Sequence, residues 1–301
     1  MTAPRSAAGG TGALSNWQNG FVRRLPLRIA VIGICLLWSL PTLGLLISSF
    51  RVPLDITRNG WWTVLFNPFD LSQYTLQNYE SILGAEGFAS GFFNSLIVTV
   101  PSTVIPITVA AFAAYAFAWV RFPFRRALFI LVVGLLVVPL QMSLIPILRL
   151  YGPEQLNLSG TFLGVWLAHT GFGLPLAIFL LYNFMSQLPG DLFETAAIDG
   201  ATHFQMFTKV VLPLSVPALA AFAIFQFLWV WNDLLVALVF LGAGSDVSVL
   251  TFRLYQLIGV RGESWHILTA GAFLTMIVPV MVFLALQRYF VRGLLAGSVK
   301  G

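Results

Sequence analysis

Six long apolar stretches, at roughly 27–50, 92–120, 127–148, 158–184, 217–241 and 266–289, constrain this chain more than any other feature of it. A run of about 20 apolar residues is long enough to cross the hydrocarbon core of a bilayer as a helix. Lipid offers the backbone no water, so a spanning segment has to satisfy its own N–H and C=O groups, and an α-helix does this within itself. The pattern predicts an all-α, polytopic membrane protein with six transmembrane helices. Composition agrees: 58% of the 301 residues are hydrophobic and 9% charged, against about a quarter charged in soluble domains.

The net charge of +5 does not point to nucleic acid, because the basic residues are scattered singly or in pairs beside the apolar stretches. Six spans put both termini on one side. That side collects Arg5, Arg23, Arg24, Arg28, Arg121, Arg125, Arg126, Lys209, Arg288, Arg292 and Lys300, eleven of the sixteen basic residues. Arg51, Arg58, Arg149, Arg253 and Arg261 fall on the other. The first set is therefore expected in the cytoplasm, with both termini. Cys35 lies inside the first span and excludes a disulfide framework, while His169, His203 and His266 show no metal-ligand spacing.

Residues 1–24, rich in Gly, Ala and Ser, read as a disordered cytoplasmic tail rather than a signal peptide, since the apolar run after them is long enough to span. The first transmembrane helix covers 25–50, with Pro41 as a potential kink. Residues 51–90 form an extracytoplasmic loop where Arg51, Asp55, Arg58, Asp70, Glu80 and Glu86 mingle with Trp61, Trp62, Phe66, Phe69 and Tyr74. Such aromatics suit either an interfacial belt or a docking surface for an extracytoplasmic partner. A five-helix core follows over 91–290, then a cytoplasmic tail over 291–301. Pro101 and Pro106 predict an irregular or broken second span. Pro139 and Pro146 interrupt the third, and the Gly171–Pro175 stretch breaks the fourth.

Between the fourth and fifth spans lies a water-compatible stretch, 189–213, that reads as two short helices joined at a glycine. Asp191 is placed to cap the first, with Glu194 three residues on, and Ala196 and Ala197 leave room for another surface. Gly200 ends that helix where a left-handed residue is wanted. Thr202 and Gln205 form a second capping box, and Pro213 stops the pattern. A helix–Gly–helix hairpin of this size suits docking rather than spanning.

No catalytic constellation is visible. The only lysines, Lys209 and Lys300, do not follow a Gly-x-x-x-x-Gly pattern, so the chain has no phosphate loop for ATP. Asp233 is the one clear carboxylate at membrane depth, a costly placement that either makes a structural hydrogen bond or faces a polar path. Gln226, Trp229, Asn232 and Asp233 would suit a sugar, which offers apolar ring faces and hydroxyls together. Asn94 and Gln141 could face the same path, although single polar residues in spans also serve helix packing alone.

Glu194, Ala196, Ala197 and Gly200, followed by Leu212-Pro213, resemble the EAA loop of the ABC importer permeases, with Thr195 set into the Glu-Ala-Ala motif. Asn94-Ser95-Leu96, Ala113 to Ala118, Trp231-Asn232-Asp233 and Arg288 to Gly293 with Ala296-Gly297 extend the likeness from about residue 92 to the end. The likeness is greatest to the maltose-type second permease of the carbohydrate branch and, within it, to α-glucoside permeases. The resemblance implies a non-catalytic transport subunit of a bacterial inner membrane, forming half of a sugar path. It implies a second homologous permease, a dimer of ATP-binding subunits and an extracytoplasmic solute-binding protein as partners, with sugar as substrate, membrane lipid around it and no nucleic acid. ATP and Mg would sit on the partner ATPase, and this chain would hold no cofactor or metal of its own. The coupling loop would be Asp191, Glu194, Thr195, Ala196, Ala197, Asp199, Gly200, Leu212 and Pro213. A self-contained carrier or channel for a small neutral solute is the alternative, but an ion-coupled carrier normally keeps more ionisable groups at membrane depth.

Overall fold

A computed structural model describes residues 12–85, 87–244, 246–258 and 264–296. The expectations for residues 1–11, Arg5 among them, for Glu86 and Arg261, and for the tail from Gly297 to Gly301 with Lys300, lie outside these residues. The described chain is helical throughout, and its contacts divide it into a unit ending at Leu76 and one starting at Gln77.

In the first unit α1 runs Gly12–Ser49, so residues 12–24, expected to be disordered, extend the spanning helix instead. Helix α2 (Pro53–Arg58) and two 3-10 turns, Trp61–Phe66 and Leu71–Gln73, follow. Arg51, buried at the end of α1, donates from Nη1 to the Gly60 carbonyl at 2.8 Å and bridges to Tyr74. Trp61 folds back over Gly44, where a Cβ would lie 2.7 Å from its indole nitrogen; only a glycine leaves that space.

The second unit begins with α3 (Gln77–Gly84) and α4 (Phe88–Trp119). Then come α5 (Arg125–Gly134), α6 (Leu140–Leu150), α7 (Phe162–Met185), α8 (Gly190–Ile198), α9 (His203–Met206), α10 (Leu212–Leu214), α11 (Val216–Trp231), α12 (Leu235–Phe240), α13 (Leu250–Leu257) and α14 (Trp265–Ala296). By length and apolarity four helices can span, and six spans result if two bent pairs each count as one: α5–α6, bent by 105°, and 203–214 with α11, bent by 71°. Helices α4 and α7 pack closely because Ala110, Ala114 and Ala177, all fully buried, let the backbones approach.

The prolines act differently from expectation. The second span is one continuous helix despite Pro101 and Pro106, and the fourth is continuous through Pro175. A proline at i leaves the carbonyl at i−4 without its helical donor. In α4 those carbonyls belong to Ile97 and Ser102. Trp166 Nε1 of α7 donates to the first at 2.8 Å, and Gln226 Nε2 of α11 to the second at 3.0 Å. The device recurs at Pro279, whose freed Thr275 carbonyl accepts from Trp231 Nε1 at 3.2 Å. Neighbouring helices thus supply the donors that lipid cannot. Pro139, by contrast, stands at the 105° bend, and the third span breaks there.

Candidate functional site

The hairpin is built from short-range signals. Helix α8 ends in a Schellman turn: the Ala201 amide donates to the Ala196 carbonyl at 2.9 Å and the Gly200 amide to the Ala197 carbonyl at 3.0 Å. Gly200 holds φ +76, with open space around its Cα, so glycine is required by backbone conformation rather than by crowding. Thr202 and Gln205 close the expected capping box: the Gln205 amide donates to Thr202 Oγ1 and the Thr202 amide to Gln205 Oε1. Asp191 does not cap α8; Pro189 occupies that position, and the Asp191 carboxylate lies in the first turn, where a helix dipole favours negative charge. Nor does Pro213 end the second arm. The arm passes through a π-helical turn at Phe207–Val211 and through Leu212-Pro213, and the chain bends after Leu214.

Two anchors fix the hairpin to the spans, and the sequence flagged neither. Phe193 stacks on Trp119 at the end of α4, ring centroids 3.6 Å apart. On the second arm Phe207 is buried against Tyr115, whose hydroxyl lies 3.0 Å from His203 Nδ1. Leu212 packs against the same cluster. Away from these anchors the hairpin is open. Glu194, Thr195, Ala197, Asp199 and Gly200 are exposed, and so are the large side chains of Ile198 (86%) and Phe204 (66%). Glu194 makes no ion pair among the described residues. The free end of the hairpin thus presents an apolar tip, Ile198 and Phe204, with Glu194 also exposed on it.

The structure separates the expected path residues. Asn94 is buried and donates to the Asp246 and Ser248 carbonyls at 2.9 and 3.1 Å, tying the start of α4 to the segment before α13. Gln226 is 3% exposed and committed to the Ser102 carbonyl, pressed against Gly173, where a Cβ would lie 2.6 Å from its Oε1. Both are cross-helix ties rather than wall residues. Asn232 is exposed and donates to the Leu228 carbonyl, and Gln141 is exposed at the start of α6. Asp233 falls in the break between α11 and α12, where its carboxylate accepts from the Val236 and Ala237 amides at 3.3 and 2.9 Å and starts α12. Its carbonyl also accepts from Thr251 Oγ1. His169, dismissed on spacing, is fully buried with Nε2 3.7 Å from Asp233 Oδ2 and its ring edge-on to Trp229. Trp229 in turn faces a cavity of about 430 Å³ with Ser143, Tyr151 and Phe172. No cluster of His, Cys, Asp and Glu that could hold a metal occurs among the described residues.

These features define a multi-pass α-helical membrane protein with an exposed helix–Gly–helix hairpin between its spans. Residues 92–295 match the family described as binding-protein-dependent transport system inner membrane component, and the chain belongs to that family. It is thus an inner-membrane transport subunit rather than an enzyme. It is 59% identical over 286 residues to the osmoprotective compounds uptake permease protein GgtD of Synechocystis sp., covering 95% of both chains. To the alpha-glucoside transport system permease protein AglG of Rhizobium meliloti it is 46% identical, over 93% of this chain and 99% of that one. Its fold matches a chain in the crystal structure of a bacterial ABC transporter involved in the import of alginate, with a TM-score of 0.70 at 20% identity, covering 95% of this chain and all of that one.

Proposed function

We propose that this chain forms half of the translocation path of an ATP-driven importer for an α-glucoside or a related glycosidic solute. The observation that carries the reading is the hairpin, anchored through Phe193 and Phe207 and exposing Ile198, Phe204 and Glu194 at its free end. A dimer of ATP-binding subunits would seat on that end. Closure of the dimer on ATP would press α8 and α9, and the stacked Trp119 and buried Phe207 would pass the displacement to α4 and α7. Glu194 would take basic or backbone donors of the ATPase. Thr195, Ala196, Ala197, Asp199 and Gly200 would give the close fit, with Asp191 in the first turn of α8 and Leu212-Pro213 joining the hairpin to α11. ATP and Mg belong to that partner. A second permease would complete the path, and an extracytoplasmic binding protein would deliver the solute.

The solute class rests on the alpha-glucoside relative and on the cavity lined by Trp229, Ser143, Tyr151 and Phe172, with Gln141, Asn232 and Asp233 kept as candidates outside that lining. An indole beside the Tyr151 and Ser143 hydroxyls offers stacking for a pyranose ring and partners for its hydroxyls. The orientation, with both termini and the hairpin cytoplasmic, rests on the asymmetry of basic residues.

Site-directed cross-linking tests the hairpin. Ile198→Cys in a Cys35→Ser background should cross-link to the ATP-binding subunit in the assembled complex, with a yield that changes when ATP is bound. Uptake that proceeds without any ATP-binding subunit would overturn the reading. For the solute, ATPase activity in lipid with the binding protein should rise with an α-linked disaccharide and not with a β-linked one; a reversed preference would sink the assignment.

A further inference from the structure

We propose that the turn between α4 and α5 is a binding site for the phosphate headgroup of an anionic phospholipid. Three arginines, Arg121, Arg125 and Arg126, line one open, shallow recess together with Phe122 and Phe124. None of the three takes part in an ion pair among the described residues, and Arg125 donates from Nη1 to the Val120 carbonyl at 3.2 Å. An anion in that recess would be met by guanidinium groups from all three. Their planar forks match the oxygens of a phosphate.

The setting selects lipid over a protein partner. Only residues 120–124 separate the end of α4 from the start of α5, and Arg125 itself opens the first half of a bent span. So short a turn cannot project as the 189–213 hairpin does; it stays at headgroup depth. Phe124 has a backbone φ of 60, unusual for a residue with a side chain, and its ring is 80% exposed beside the arginines. Phe122 packs against Phe117, with ring centroids 5.8 Å apart. Cationic groups flanked by an exposed aromatic ring match a surface that passes from phosphate to acyl chain within a few ångströms. The site rests on the proposed orientation only for which leaflet it meets, not for its ligand.

Native mass spectrometry of the assembled complex, extracted into detergent and exchanged with phosphatidylglycerol and phosphatidylcholine, reads both faces of the membrane at once. The wild-type complex should retain phosphatidylglycerol selectively. The R121Q/R125Q/R126Q variant should bind it about a hundredfold more weakly, each arginine near the surface contributing a factor of about five. R58Q/R149Q, which removes charge at sites assigned to the opposite face, should behave as wild type. If the triple variant does not assemble, R126Q alone should still lower retention about fivefold. Retention that is unchanged in the triple variant, or in R126Q where the triple variant does not assemble, overturns the site, as does an equal loss in R58Q/R149Q; so does displacement of the lipid by millimolar inorganic phosphate, which would mark a free-phosphate site. Leaflet is read separately, by the accessibility of F124C to an impermeant thiol reagent in the C35S background. Labelling from the outside would overturn the orientation while leaving the lipid site standing.

Discussion

Replacing Gln226 tests whether proline-freed carbonyls are what hold these spans together. Gln226 Nε2 is the donor the structure gives to the Ser102 carbonyl, which lost its helical partner to Pro106. Gln226→Met keeps the approximate length and volume of the side chain and removes its amide group, the N–H donor with it. It leaves a buried acceptor unpaired, at a cost of about 1–3 kcal/mol in proteins generally. Hydrogen bonds between helices in membranes measure lower, about 0.6 kcal/mol on average and up to about 1.7, so about 1–2 kcal/mol is the expectation here. The repair follows from the same geometry. Pro106→Ala returns an amide N–H to the i−4 position of Ser102, so in that background Gln226→Met should cost close to nothing. Unfolding the purified complex by titration with a denaturing detergent gives the four free energies of the cycle. A coupling of about 1 kcal/mol or more is expected. Equal costs of Gln226→Met with and without Pro106 would refute the assignment. A loss of solute affinity without any loss of stability would return Gln226 to the path.

Gly200→Ala meets no steric contact, so it should act through backbone strain alone: about 1–2 kcal/mol for a left-handed alanine, or about a 5- to 30-fold rise in opening of the turn, while Gly200→Asn stays near wild type. Hydrogen exchange at the Gly200 and Ala201 amides together with ATP-driven uptake checks it; equal effects of Ala and Asn would count against the turn. Phe193→Ala should lose the stack on Trp119, about 0.5–1.5 kcal/mol beyond the lost burial, and lower transport per ATP hydrolysed more than ATPase activity itself. Asp233→Leu should destabilise the start of α12 by about 0.5–2 kcal/mol, as loss of a helix cap does, whereas Asp233→Asn keeps an acceptor and most of the stability. If Asp233→Asn instead raises the KM for solute with stability intact, the carboxylate serves the path as well as the helix.

How much was legible in advance depended on range. The hairpin's turns could be read because capping and left-handed glycines are matters of a few consecutive residues: Thr202 with Gln205, and Gly200 after Ala197, need nothing from the rest of the chain. Asp191 misled because a capping motif in sequence does not say which residue starts the helix, and Pro189 does. The prolines misled for a deeper reason. Whether Pro101 and Pro106 break a helix depends on whether a donor arrives from elsewhere. The indole of Trp166 and the amide of Gln226 come from residues 69 and 124 positions away from the carbonyls they serve.

By itself the sequence determined the class: apolar runs of spanning length, with most of their backbone groups needing partners that lipid does not offer, become helices. It also determined the local form of the hairpin, through glycine, threonine and glutamine. Only the tertiary structure decided which polar side chains are ties and which face open space. Asn94 and Gln226 donate to carbonyls of other segments, the one that accepts from Gln226 having been freed by Pro106, and Trp229 faces a cavity. A buried acceptor in a membrane has to find a donor within the protein, and only the fold determines which donor is close enough.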